Sequence, residues 1–195
     1  MDTLLAREAR KISFSESQQK LMIGSLLGDG YLDKTTRGYS LRIHHGIAQK
    51  EYVDHKYQLI KSFVNSAPKT SGKAYYFRTV SHPFLTDLRE LFYKEHKKIL
   101  PKDFLEENFD AFSLAIWIMD DGAADKNQLR INTQSFSWKE NLWLINFLQA
   151  KFGIASTLNV DRGKYRLRIR DSSMSSLKQM VLPFIIPSML YKLSL

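Results

Sequence analysis

Two aspartates, Asp29 and Asp121, each followed by a glycine, close two strongly apolar runs, LMIGSLLGDG (residues 21–30) and SLAIWIMDDG (residues 113–122). Runs of this length and composition read as buried helices. A helix already carries partial negative charge at its C-terminal end, where lysine or arginine is favoured and a carboxylate is not. Something other than helix stability therefore holds these acids in place. If the two helices pack side by side, Asp29 and Asp121 meet at one end and repel each other. A divalent cation between them removes that repulsion, and Mg2+ takes oxygen ligands of this kind.

The elements needed to bring the acids together are present twice, because the chain repeats itself. Asp29-Gly30 and Asp121-Gly122 lie 92 residues apart, Leu41-Arg42-Ile43 and Leu129-Arg130-Ile131 lie 88 apart, and Gly72-Lys73 and Gly163-Lys164 lie 91 apart. Three matches in one order at nearly constant offset divide the 195 residues into two copies of one unit, expected at 1–95 and 113–195 with a linker at 96–112. Each copy reads α-β-β-α-β-β-α. In the first copy a hairpin follows the apolar helix, from Tyr31 to Lys34 and from Tyr39 to His45 around a TTRG turn. A helix over 49–64, a hairpin turning at Ser71-Gly72 and a shorter helix near 84–94 complete it. The second copy has a strand from Gln128 to Gln134, then a helix over 137–153 with Ser137 as N-cap, Glu140 three residues on and Gly153 to stop it. Its second hairpin turns at Arg162-Gly163, and a last helix lies near 173–181. In the first apolar helix Gly24 and Gly28 leave one face bare for a partner backbone, with Ala115 at the corresponding point of the second.

Composition narrows the partner. Twenty-nine Lys and Arg against 20 Asp and Glu leave a net charge of +9, which favours a polyanion, most often nucleic acid. The absence of Cys excludes disulfides, thiolate zinc sites and cysteine nucleophiles. No apolar run approaches the roughly 20 residues of a membrane span, so no membrane partner is expected. The strand from Lys164 to Arg170 alternates, with Lys164, Arg166, Arg168 and Arg170 on one face and Tyr165, Leu167 and Ile169 on the other. Ser40, Arg42 and His44 line the matching strand of the first copy, with Lys73 and Arg78 in its second hairpin, and Gln128, Arg130, Asn132 and Gln134 line the second. Such side chains read base edges in the major groove of DNA, and a two-stranded ribbon fits that groove. The major groove of A-form RNA is too narrow for it. A carboxylate pair holding metal at the centre of such a surface suits metal-assisted phosphodiester hydrolysis.

The stretches MIGSLLGDG (22–30) and LAIWIMDDG (114–122) resemble the nine-residue motif of LAGLIDADG homing endonucleases, most closely the single-chain, two-motif members encoded within introns. The likeness continues through KKILP (97–101), NTQSF (132–136) and PSMLYKL (187–193). It implies an α+β fold of two pseudo-symmetric units packed through their motif helices, with antiparallel sheets forming a saddle on DNA. It places the metal-binding acids at Asp29 and Asp121, with Gly28 and Asp120 beside them, Asp120 in a supporting role. The family's active-site lysines match Lys98 and Lys192, and a lysine there stabilises charge on the phosphate or orients the attacking water. His44 and Asn132 match each other across the repeat and are expected to hold water near the metals. The resemblance further implies a monomer that uses Mg2+, with Mn2+ able to substitute, and cuts both strands of a double-stranded DNA target to leave short 3′ overhangs. Two departures are visible. Ile116 replaces the small residue expected third in the second motif, so close packing there uses Ala115 or is asymmetric; and the halves differ widely elsewhere, which suits a long non-palindromic site.

An alternative stays open: an RNA maturase acting on intron RNA, or a non-cleaving DNA-binding protein on the same scaffold. Retention of both acids and both lysines favours the enzyme. Either reading expects an intracellular protein, in a bacterial cytoplasm or an organelle matrix.

Overall fold

A computed structural model of the chain describes residues 3–161 and 163–195; Arg162, read above as part of a turn, lies outside them. After a short helix α1 (Leu4–Ala9), the first copy runs α2 (Glu16–Leu27), β1 (Tyr31–Thr35), β2 (Gly38–Gly46), α3 (Lys50–Ile60), β3 (Lys69–Ser71), β4 (Ala74–Arg78) and α4 (Pro83–Phe92). A small hairpin, β5 (Tyr93–Lys94) and β6 (Lys97–Lys98), and helix α5 (Lys102–Asn108) then lead to the second copy. It runs α6 (Ala111–Asp121), β7 (Gly122–Asp125), β8 (Gln128–Ile131), α7 (Trp138–Phe152), β9 (Ser156–Asp161), β10 (Lys164–Ile169) and α8 (Asp171–Val181), followed by 3-10 turns at Leu182–Phe184 and Pro187–Leu193. The segment expected to be a linker thus carries a strand and a helix of its own. The two four-stranded antiparallel sheets have the same order, β1-β2-β4-β3 and β7-β8-β10-β9. The mixed α+β architecture and the twofold repeat are those expected from the sequence.

Both motif helices begin at strong caps. Ser15 Oγ accepts from the Gln18 amide while Gln18 Oε1 accepts from the Ser15 N–H, a reciprocal capping box, and Asp110 Oδ1 accepts from the Ser113 N–H at 2.8 Å. From there every residue between Leu21 and Leu27, and between Ser113 and Asp120, is buried. Helices buried on all sides belong at the centre of a fold, and α2 and α6 pack on each other there.

That packing is asymmetric. A Cβ added at Gly24 would overlap the Ser113 carbonyl oxygen and lie 2.7 Å from Ile116 Cβ, and one added at Gly28 would overlap Asp120 Cβ. Ile116 and Asp120, four residues apart on α6, therefore fill the two places that Gly24 and Gly28, four apart on α2, leave open. Ala115, fully buried, is not the residue that meets this stripe. Ser113 Oγ also donates to the Lys20 carbonyl at 3.1 Å, extending the contact by one turn.

Several elements end earlier than the sequence pattern suggests. The helix expected over 49–64 is α3 flanked by 3-10 turns at Ile47–Gln49 and Lys61–Phe63. Strand β8 stops at Ile131 because the buried Thr133 hydroxyl takes over the pairing: it accepts from the Leu167 N–H at 3.2 Å and donates to Asn141 Oδ1 at 2.5 Å. Strand β10 stops at Ile169, and Arg170 becomes the N-cap residue of α8. Helix α7 is as expected, with a Ser137–Glu140 capping box and a left-handed Gly153 (φ 68°).

A methyl group on Gly24 has nowhere to go. Gly24→Ala is expected to cost roughly 1–3 kcal/mol of stability, read as a lowered urea midpoint with unchanged m-value.

Candidate metal centre and nucleic-acid interface

Asp29 lies one residue past the C-cap of α2 and Asp121 is the last residue of α6, and each motif's end is met by a lysine from far along the chain. Lys98 Nζ donates to the Gly28 carbonyl at 2.7 Å, and Lys192 Nζ donates to the Asp120 carbonyl at 3.2 Å. Each lysine thus caps the residue immediately before the acid of its own copy, supplying the cation that a helix C-terminus favours and that the local sequence lacks. The two acids feel each other. Burial, then Asp29 and Asp120, push the Asp121 carboxyl up to about 8, against the pull of Lys98 and Lys192. Asp29, half exposed, is also raised, first by loss of solvent and then by Asp120. Burial lowers Lys98, with the three acids opposing. Among the described residues no three His, Cys, Asp or Glu side chains form a metal-holding group. A pair of carboxylates with raised proton affinity and two backbone carbonyls fits Mg2+ well, because that ion is commonly held by one or two carboxylates and completes its shell with water and substrate phosphate.

The Asp120 side chain is not available as a further ligand. It is fully buried, Oδ1 accepts from Lys56 Nζ at 2.6 Å and from the Tyr52 hydroxyl at 2.7 Å, and Oδ2 accepts from the Asp29 N–H at 3.2 Å. Lys56 is equally buried. The side chain is structural, holding the backbone of the other copy's acid, and leaves only the Asp120 carbonyl for a supporting role. Gly28, having no side chain, can contribute only its carbonyl oxygen.

The histidine beside Asp29 is His45, not His44. His44 is exposed, with its ring 6.0 Å from that of Tyr76. His45 is buried, with Nδ1 3.6 Å from Asp29 Oδ2 and 3.1 Å from Gln49 Oε1, and Nε2 3.8 Å from Asp120 Oδ1. Burial and then Lys56 lower it to about 4, so it is neutral near pH 7. Strand alternation alone offered the signal: His45 falls on the inward face. Asn132, expected to hold water near the metals, lies beside Asp121, its backbone N–H donating to the Asp121 carbonyl at 3.1 Å.

The outward faces of the sheets carry most of the remaining predicted side chains. Arg42 and Arg78 face each other across β2 and β4, and Arg130 and Arg168 across β8 and β10. Gln128 shares the second face, Arg166 and Gln134 are neighbours, the Gln134 amide lying 2.9 Å from Arg166 Nη2, and Lys164 opens β10, exposed. Lys73 is exposed in the turn between β3 and β4. One expectation fails. Ser40 is 1% exposed, on the strand next to Asp33, and has no surface to offer. Arg170 is exposed one residue past β10, its N–H still donating to the Ala155 carbonyl at 3.0 Å, at the N-cap position of α8.

Residues 19–177 match the model of the LAGLIDADG DNA endonuclease family. The chain belongs to that family. It is 29% identical over 93% of its length to a probable intron-encoded endonuclease 1 of Wickerhamomyces canadensis, 85% of which is covered. It is 28% identical over 99% of its length to the cytochrome b mRNA maturase bI2 of Debaryomyces hansenii, 81% of which is covered. Among solved structures, the homing endonuclease I-WcaI bound to its DNA recognition sequence superposes with a TM-score of 0.89 at 28% identity, over 98% of this chain and 93% of that one. I-DmoI in complex with DNA and Mn shares the fold, at 18% identity and a TM-score of 0.57 over 86% of this chain and 97% of that one.

Two outcomes follow from the electrostatics of this LAGLIDADG centre. Lys56→Met leaves Asp120 buried and unpaired, and is expected to cost about 3–5 kcal/mol. Adding Asp120→Asn, which removes the orphaned charge, should recover at least half of that loss in a double-mutant cycle by urea unfolding. The second outcome concerns pH. The folded Asp121 pKa is raised from 3.8 to about 8, so between these values the folded protein holds a proton that the unfolded chain has released. This group therefore makes the metal-free protein lose stability as pH rises from about 4 to 8. Asp121→Asn removes the loss: in EDTA its Tm should exceed that of the unsubstituted protein by several degrees at pH 8, with the gap closing toward pH 4.

Proposed function

We propose that the protein is a site-specific homing endonuclease that hydrolyses one phosphodiester bond in each strand of a long, non-palindromic DNA duplex with Mg2+, Mn2+ substituting, and that it acts as a monomer. The carrying observation is the doubled arrangement of acid and lysine. Lys98 at the Gly28 carbonyl lies beside Asp29, and Lys192 at the Asp120 carbonyl lies beside Asp121, one set for each strand. The DNA-bound I-WcaI structure and the I-DmoI complex with DNA and Mn support the choice of duplex and of a divalent metal.

In this reading Asp29 and Asp121 hold the metal, with the Gly28 and Asp120 carbonyls at hand. Bound there, the ion would lower the pKa of water and neutralise phosphate oxygens. The protein's own contribution is positional and electrostatic. Asp120 fixes the Asp29 backbone, Asn132 fixes that of Asp121, and the arginine-bearing sheets orient the duplex over the seam. Lys98 and Lys192 stand where negative charge grows on the phosphate, within a partly buried site where a cation acts more strongly than in water.

A second reading, intron RNA maturation, is favoured by the likeness to a curated mRNA maturase. One experiment separates the two. A plasmid library of candidate intron-insertion sites is incubated with Mg2+ or EDTA, using the unsubstituted protein, Asp121→Asn and Lys98→Met. Metal-dependent double-strand cutting at one site is expected, reduced to nicking or abolished by Asp121→Asn and slowed about 10- to 1000-fold by Lys98→Met. If every site stays intact while intron RNA is bound tightly, the maturase reading replaces the nuclease.

A further inference from the structure

We propose that Asp33 and Asp125 are positioning residues for base recognition: each aims a pair of arginines at the edge of a G·C base pair, one pair in each half of the target. The inference rests on the DNA-cleaving reading and extends it to what the sheets recognise.

The observation occurs twice. In the first copy, Arg42 and Arg78 are directly opposite on neighbouring strands, and Asp33 on the adjoining strand lies 3.6 Å from Arg42 Nη1 and 2.7 Å from Arg78 Nη2. In the second, Arg130 and Arg168 are directly opposite, and Asp125 lies 3.6 Å from Arg130 Nε and 3.6 Å from Arg168 Nη2. Like charges facing each other across a ladder are unfavourable, yet the pair is present in both copies with an acid diagonal to it. The acids sit deeper than the arginines. Asp33 is 16% exposed beneath arginines at 41% and 51%, and Asp125 is 31% exposed beside arginines at 33% and 40%.

The acid decides what the arginines are for. A site built for phosphate gains nothing from a carboxylate among its cations, because the carboxylate repels the ligand and halves the local charge. A site built for a base edge loses little by it. Guanine O6 and N7 are neutral acceptors that match the guanidinium fork. Held by a carboxylate, each guanidinium is also less free to turn toward the backbone. Surface stability is a weak alternative, since exposed ion pairs of this kind contribute little. The copies differ around the triad: Tyr31 is opposite Arg42, with the guanidinium 5.3 Å from the ring centroid, whereas Ala123 is opposite Arg130.

The test uses the full chain and a random-sequence DNA duplex library. Sequences retained by the unsubstituted protein without divalent metal are enriched and read. Relative affinities for every single-base variant of the best sequence are then measured for that protein, Asp33→Asn, Asp125→Asn and the corresponding Glu variants. Expected is a required G·C pair in each half. Asp33→Asn should lower discrimination at one of them by about tenfold, and Asp125→Asn at the other, while the Glu variants keep part of it. Affinity for mismatched DNA should hold or rise, since a negative charge is lost. The inference is overturned if no G·C pair is required at either place, if discrimination falls evenly across the site, or if it stays intact while only the urea midpoint drops. If the unsubstituted protein retains no DNA at all, the nuclease reading fails visibly and this inference falls with it.

Discussion

The contact between α2 and α6 constrains everything else in this protein. Two glycines on one helix admit Ile116 and Asp120 of the other, so the backbones approach more closely than side chains would normally allow. Two helices brought together this way deliver two negative dipole ends, and three carboxylates, to one place. Left alone, that concentration of charge would open the seam. The chain answers with three lysines drawn from three different segments: Lys56 from α3, Lys98 from β6 and Lys192 from the last 3-10 turn. The peripheral elements are thereby tied to the centre, and the two lysines proposed to act on the phosphate are among those that make the packing tolerable.

The repeat is symmetric where chemistry is done and asymmetric where the halves must recognise each other. Acid, preceding carbonyl and lysine match across the copies. Around them the pattern breaks. Asp120 occupies the space that Gly28 vacates, and its counter-ion Lys56 comes from the opposite copy. Two first copies placed together would bury Lys56 without an acid, and two second copies would oppose Asp120 to Asp120. A buried ion pair adds little net stability over a well-packed apolar contact, but it penalises wrong pairings heavily. The same break gives Asp29 a histidine neighbour, His45, hydrogen-bonded through Gln49 to Tyr191, while the matching position of the second copy is Thr133, spent on bracing β8.

Much of this was legible in the sequence, for identifiable reasons. Two acid–glycine closures of apolar runs and a constant offset between three matched segments are long, redundant signals, and they located the fold, the seam, Asp29 and Asp121. Lys98 and Lys192 were reached only through family resemblance, because nothing in local spacing says that a side chain 70 residues away returns to a particular carbonyl. The role of Asp120 was hidden for the same reason: adjacency to Asp121 suggests shared function, and only packing reveals that its oxygens are consumed by Lys56, Tyr52 and the Asp29 amide. Ser40 failed on its face, and Arg170 lies one residue beyond the strand expected to carry it. Alternation assigns a side chain to a face without saying what covers it, and a strand's last residue can belong to the next helix's cap. The pairing of Arg42 with Arg78, and of both with Asp33, needed the register.

The distribution of charge links recognition to chemistry. Burial, with Asp29 and Asp120, raises the metal-free Asp121 carboxyl to about 8, so near neutral pH a proton competes with a cation for it. Protein groups alone complete no metal-holding cluster among the described residues. A divalent ion held by Asp29 and Asp121 would oppose that proton with its own positive charge and take its remaining oxygens from water and phosphate. Binding of metal, ionisation of the acid and seating of the duplex would then be a single linked equilibrium, in which each favours the others. If the arginine-bearing faces select the duplex as proposed, the energy of base recognition would reach the seam as free energy that assembles the centre. Such a site stays poorly assembled on DNA that fits badly. That is the physical requirement for a nuclease whose net charge of +9 would otherwise hold it to any duplex it met.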